Sequence, residues 1–105
     1  MLDITSIQQT CTEDTTIVTS HAFDQMEARG IAMDNITDCI QAGEIIEQYE
    51  DDKPYPSCLL LGYTNNKPLH VVASVDSGFL WIITAYWPSL DKWLDDYKTR
   101  KVANL

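Results

Sequence analysis

Basic residues are scarce: seven Lys and Arg stand against sixteen Asp and Glu in 105 residues, a formal net charge of −9. Charge of that sign argues against non-specific nucleic-acid binding, which depends on neutralising phosphates. It leaves room for a local basic face, because Arg29, Lys92, Lys98, Arg100 and Lys101 hold five of the seven positive charges. It suits a basic partner or simple solubility equally well. Cysteine is also scarce and odd in number, with Cys11, Cys39 and Cys58 far apart and no CxxC or Cys/His spacing. Neither a disulfide framework nor a metal centre is therefore expected, and the thiols read as reduced, buried or half-buried side chains. No apolar run approaches the ~20 residues that span a bilayer. Met1–Ser6 has neither a basic stretch nor a long apolar core, as a signal peptide would. A cytoplasmic protein without membrane association is the expectation. The GxxxxGK, GxSxG, HExxH and GxGxxG motifs are missing, so no cofactor is expected. Glu50-Asp51-Asp52 lacks calcium-loop spacing and reads as a solvated loop.

What the chain does contain is a change of period near its middle. Residues 1–16 read as an N-terminal extension, with a weak helical pattern around Leu2–Gln9. Residues 17–105 read as one α+β domain. Ser20 is placed to cap a helix from His21 to about Arg29, with Gly30 as the residue that ends it. A second helix is expected from about Asp34 to Ala42, with Ile36, Cys39 and Ile40 at helical spacing. The two form a helical hairpin. Alternating apolar residues then predict strands over Glu44–Tyr49, Ser57–Tyr63, Leu69–Val75 and Phe79–Trp87. Thr64-Asn65-Asn66-Lys67 and Asp76-Ser77-Gly78 supply the turns. After Pro88, Ser89 is placed to cap a last helix to about Lys98, with Trp93, Leu94 and Tyr97 along one side. The expected architecture is an N-terminal helical hairpin packed on a four-stranded antiparallel meander, with a C-terminal helix and one sheet face partly open.

Only two histidines occur, and each lies in a segment of distinct character: Ser20-His21-Ala22 at a helix start and Leu69-His70-Val71 in a strand. A three-residue Asp76-Ser77-Gly78 loop would pair Val75 with Phe79, and hence Ser74 with Leu80, Val72 with Ile82 and His70 with Thr84. Tyr86 is then a diagonal neighbour of His70. Cross-strand partners share a face, so His70, Ser74, Thr84 and Tyr86 group on the less apolar side. His70 reads as either a functional imidazole or a structural one hydrogen-bonded at a strand start. His21 reads as either a general base of lowered basicity in a first helical turn or a neutral side chain packed on the sheet edge.

Taken together, His21-Ala22, Met26-Glu27-Ala28-Arg29-Gly30-Ile31, Gly43-Glu44-Ile45-Ile46-Glu47, Pro54-Tyr55-Pro56, Leu59-Leu60-Leu61-Gly62, Lys67-Pro68-Leu69-His70-Val71-Val72 and Ile83-Thr84-Ala85-Tyr86-Trp87-Pro88 resemble a family of small bacterial and archaeal proteins grouped with the RelE-like toxins and similar to BrnT. The resemblance covers about residues 17–101. It implies a RelE-like fold and a toxin–antitoxin-type protein that cleaves mRNA without a metal by attack of the ribose 2′-hydroxyl. It implies His21, His70 and Tyr86 as catalytic residues, with Arg29 binding substrate phosphate; Thr84, grouped with His70 by the strand register, is the other expected substrate-binding residue. The partners it implies are RNA or the ribosome and a cognate antitoxin, while the acidity of the chain points to another basic protein as the alternative partner. RelE-like toxins are usually basic, whereas the strands here carry almost no Lys or Arg. The alternative is therefore a non-catalytic protein-binding module that keeps the fold.

Overall fold

Three helices and five strands make up the computed structural model, which describes residues 1–102. In chain order they are α1 (Ile4–Thr10), β1 (Thr16–Val18), α2 (Ser20–Arg29), α3 (Met33–Gln41), β2 (Glu44–Tyr49), β3 (Ser57–Thr64), β4 (Lys67–Asp76) and β5 (Phe79–Tyr86). Asp3 caps α1 by accepting from the Ser6 N–H at 2.8 Å. Thr19, one residue before the expected cap, starts α2 by accepting from the Ala22 N–H at 3.1 Å. Gly30 ends α2 in the left-handed region at φ 66°, a conformation that glycine adopts without steric cost.

The sheet is mixed and five-stranded, in the order β1-β5-β4-β3-β2. This corrects the expected four-stranded meander: β1 joins the far edge parallel to β5, pairing Thr16 with Leu80 and Val18 with Ile82. The helical layer is likewise three helices rather than a hairpin, because Ile4–Thr10, within the expected N-terminal extension, forms α1 and buries Ile7 completely in the common core. That core lies between the helices and one sheet face. It joins Ala22, Met26, Ile36 and Ile40 to Leu60, Val71, Leu80 and Ile82. Among the described residues, no helix is long and apolar enough to cross a membrane.

The β4–β5 register also differs from expectation. Asp76 pairs with Phe79 across a two-residue turn, Ser77-Gly78, in which both residues have positive φ (54° and 81°). Such a turn matches the right-handed twist of the strands. It moves the pairing by one residue, so Leu80 and Ile82 face the core while Ser74 lies opposite Trp81. A bulge at Ile83 then takes up one residue, since Ala73 pairs with Ile82 but Val72 with Thr84. Beyond it His70 stands directly opposite Tyr86, not Thr84.

No helix forms after Pro88 among the described residues. One turn begins, with the Trp93 N–H bonded to the Ser89 carbonyl at 3.1 Å, and then stops. The Asp96 carboxylate accepts from the backbone N–H groups of Lys98 and Thr99 and from the Thr99 hydroxyl. Such local bonds compete with the helical pattern. Tyr97 adopts φ 58° and Trp93 bridges to Arg100. The segment from Trp87 to Val102 is a strap, and it lies across the face expected to be open. Trp93, within the strap, turns its ring onto His70 and is 2% exposed.

Candidate functional site

His70 sits at the centre of the strap-covered face and is fully buried. The Trp93 ring meets it edge-on at 4.6 Å between centroids, and Tyr86 meets it at 5.1 Å. Its Nε2 is 2.6 Å from the Tyr97 carbonyl oxygen. A carbonyl only accepts, so Nε2 carries the proton and donates. Nδ1 is then the bare nitrogen and accepts from the Tyr86 hydroxyl at 3.0 Å. Burial lowers the basicity of the imidazole, partly offset by the bond to Tyr97 and by Glu47. Burial likewise raises the pKa of the Tyr86 phenol, which keeps its proton.

Around this pair the strap is held by charge. Arg100 donates two parallel bonds to Glu47, Nε to Oε2 at 2.8 Å and a terminal nitrogen to Oε1 at 2.9 Å. The paired geometry favours the ion pair. The Arg100 hydrogen bonds hold the Glu47 carboxyl below its usual range. The guanidinium also lies 4.6 Å from the Trp93 ring centre. Tyr49 donates to Glu47 at 2.5 Å, and its own hydroxyl is pushed up to about 12, first by burial and then by that carboxylate.

Beside the strap opens a cleft of about 540 Å³. Arg29, Lys92 and Arg100 line it, with Tyr86, Trp87 and Trp93 among its walls. Arg100 is committed to Glu47, whereas Arg29 and Lys92 form no ion pair among the described residues. Arg29 is fixed where α2 ends: one guanidinium nitrogen donates to the Ala85 carbonyl at 2.7 Å, and its own carbonyl accepts from the Trp87 indole at 2.8 Å. The remaining guanidinium donors are available to an anion.

The predicted site residues divide. Arg29 and Tyr86 share the cleft wall, and His70 lies behind Tyr86. His21 is exposed near the start of α2, which is tied to β5 at Ile82 by the Thr19 N–H. Eight residues of helix, roughly 12 Å of rise, separate it from Arg29, and it does not line the cleft. Thr84 donates its hydroxyl to Gln25 on α2 and also stays outside the cleft. Sequence reasoning passed over Lys92, Trp93, Arg100 and Glu47 as site members. The basic group at the end of the chain was the available signal, but placing it on a helix hid its return to the sheet. Among the described residues, no three His, Cys, Asp or Glu side chains converge as a metal site would need. Cys39 and Cys58 are buried and pushed up to about 12 by desolvation, so both remain protonated thiols at neutral pH.

A family model matches residues 18–87, from Val18 at the end of β1 to Trp87 just beyond β5. The chain belongs to DUF4258, a domain of unknown function. No curated protein and no solved structure matches it. Nothing in these comparisons links the chain to the RelE-like toxins. The DUF4258 match includes Arg29, His70, Tyr86 and Trp87, whereas Lys92, Trp93 and Arg100 lie beyond it on the strap. Three of the eight residues lining the cleft thus lie within the matched region, and the segment that follows supplies the other five.

Proposed function

We propose that this DUF4258 protein is a RelE-like, toxin–antitoxin-type protein that engages single-stranded RNA in the Arg29–Lys92 cleft and cleaves it without a metal. The observation that carries this reading is the convergence of two unpaired cations and an aromatic wall on one cleft, in a chain of net charge −9. Cations and stacking rings together are what a single strand uses. Phosphate sits against Arg29 and Lys92, which stabilise the charge that develops on its oxygens. The ribose 2′-oxygen bonds to phosphorus while its proton passes to the Tyr86 oxygen. The Tyr86 proton moves at the same time to His70 Nδ1, giving an imidazolium held by the Tyr97 carbonyl. The bond from phosphorus to the 5′-oxygen breaks, and that oxygen takes a proton from Lys92. The products are a 2′,3′-cyclic phosphate and a 5′-hydroxyl.

The test is cleavage of an end-labelled single-stranded RNA in the presence of a chelator, with the product termini identified. Tyr86→Phe is expected to lower the rate by about 100-fold or more, and Arg29→Ala to weaken both binding and rate. A second reading rests on the complete burial of His70 and the commitment of Arg100 to Glu47. It is a non-catalytic module that binds a basic protein partner such as an antitoxin. Wild-type protein that leaves RNA intact, with or without ribosomes, and leaves growth unimpaired on expression overturns the nuclease and favours that second reading.

A further inference from the structure

The Trp87–Pro88 pair lines two clefts, not one. On one side lies the Arg29–Lys92 cleft. On the other lies a smaller cleft of about 240 Å³, lined by Lys67, Pro68 and Tyr97. Lys67, exposed at the start of β4, holds its ammonium 5.7 Å from the centre of the Trp87 ring and forms no ion pair among the described residues. The indole N–H of Trp87 is bonded to the Arg29 carbonyl, which fixes the ring between the end of α2 and the start of β4. A half-buried aromatic ridge thus stands between unpaired cations on both flanks: Arg29 and Lys92 on one, Lys67 on the other. Single-stranded nucleic acid is recognised in this way, with phosphates tracked by cations and bases stacked on rings.

We infer that the smaller cleft is a second nucleotide subsite, so the preferred ligand is a linked single strand that crosses Trp87 rather than a mononucleotide. One phosphate meets Arg29 and Lys92, a base stacks on Trp87, and the neighbouring phosphate meets Lys67. This inference rests on the RNA reading above and adds to it a requirement for at least two linked nucleotides.

The experiment is titration of the intact protein, followed by its tryptophan fluorescence, with uridine monophosphate and with a 2′-O-methyl uridine decamer, which cannot be cleaved by 2′-oxygen attack. The decamer is expected to bind at least tenfold more tightly than the monophosphate. Lys67→Ala should weaken decamer binding several-fold, flatten its salt dependence by about 0.7 in log–log slope, and leave monophosphate binding unchanged. Trp87→Phe should retain decamer affinity and Trp87→Ala should lose it, with anisotropy of labelled decamer as the readout for both. Equal affinity for the two ligands, or a Lys67→Ala effect on both alike, overturns the second subsite while leaving the RNA reading in place. Failure of both ligands to bind overturns the two together. An acidic glutamate decapeptide that binds as tightly, with the same dependence on Lys67, overturns it in favour of a protein ligand.

Discussion

Burial sets the behaviour of His70, because an imidazolium at that position would be withdrawn from water. Its folded-state pKa lies below the ordinary value of 6.5, so in the window between them the unfolded chain binds the extra proton more readily. The stability linked to this group is complete above 6.5 and declines as pH falls through that value toward the folded one. Thermal unfolding should therefore show a Tm that drops on acidification from neutral pH toward 5, and His70→Phe should flatten that portion of the profile. Parallel profiles for the two proteins would remove His70 as the cause. Glu47 acts in a separate, lower window: its depressed pKa contributes stability above the usual carboxylate value, lost as pH falls through the folded one. The grouping of His70 with Tyr86 was legible in the sequence, since alternation in the two strands places both on one face. Their direct pairing was not. It follows from a two-residue turn and a bulge at Ile83, and the alternation of apolar residues specifies neither.

Two elements make contacts that single substitutions can probe. The C-terminal end of α3 lies so close to β3 that a Cβ on Gly62 would stand 2.1 Å from the Cys39 carbonyl oxygen and 2.5 Å from its Cα. These are backbone atoms and cannot swing aside. Gly62→Ala should cost roughly 2–3 kcal/mol of stability, read by denaturant unfolding; a change of a few tenths would show that α3 can move. The strap is anchored by Trp93. Trp93→Ala should cost roughly 3–5 kcal/mol and expose His70, whose proton NMR titration should then move up toward 6.5. An unchanged titration would mean that the strap does not shield the imidazole. The strands were readable because their turn residues and β-branched runs are local signals, as with Asn65-Asn66, both at positive φ. The strap was not, because what fixes it is remote: Trp93 on His70, and Arg100 on Glu47 across 53 residues of chain. A serine after a proline and an apolar side at helical spacing look the same whether the segment continues as a helix or folds back.

For the molecule as a whole, the distribution of charge matters more than its sum. Three of the seven basic residues, Arg29, Lys67 and Lys92, flank one ridge without ion-pair partners among the described residues, while the body remains acidic. Single-strand binding through two phosphate contacts, one on Arg29 and Lys92 and one on Lys67, should follow a log–log salt slope of about −1.4, measured by anisotropy over a salt series. Lys53, which lines a different cleft beside Pro54 and Tyr55, serves as the control: Lys53→Ala should leave that slope unchanged. An equal loss of slope in Lys53→Ala would point to the overall field rather than the ridge.

The sequence by itself determined the α+β class, the spans of α2, α3 and the four long strands to within two residues, the Asn65-Asn66 turn between β3 and β4, and the acidity. Each of these is written in local propensity and periodicity. Only the tertiary structure decided that β1 completes the sheet in parallel, that the face carrying His70 is covered, and that Arg29, Tyr86 and Lys92 meet in one cleft. The physical reason is the range of the forces involved. Helices, strands and tight turns are fixed by neighbours a few residues away. The His70 environment is fixed by a bulge, a cation stacked on a buried ring and an ion pair, whose partners meet only once the chain has folded.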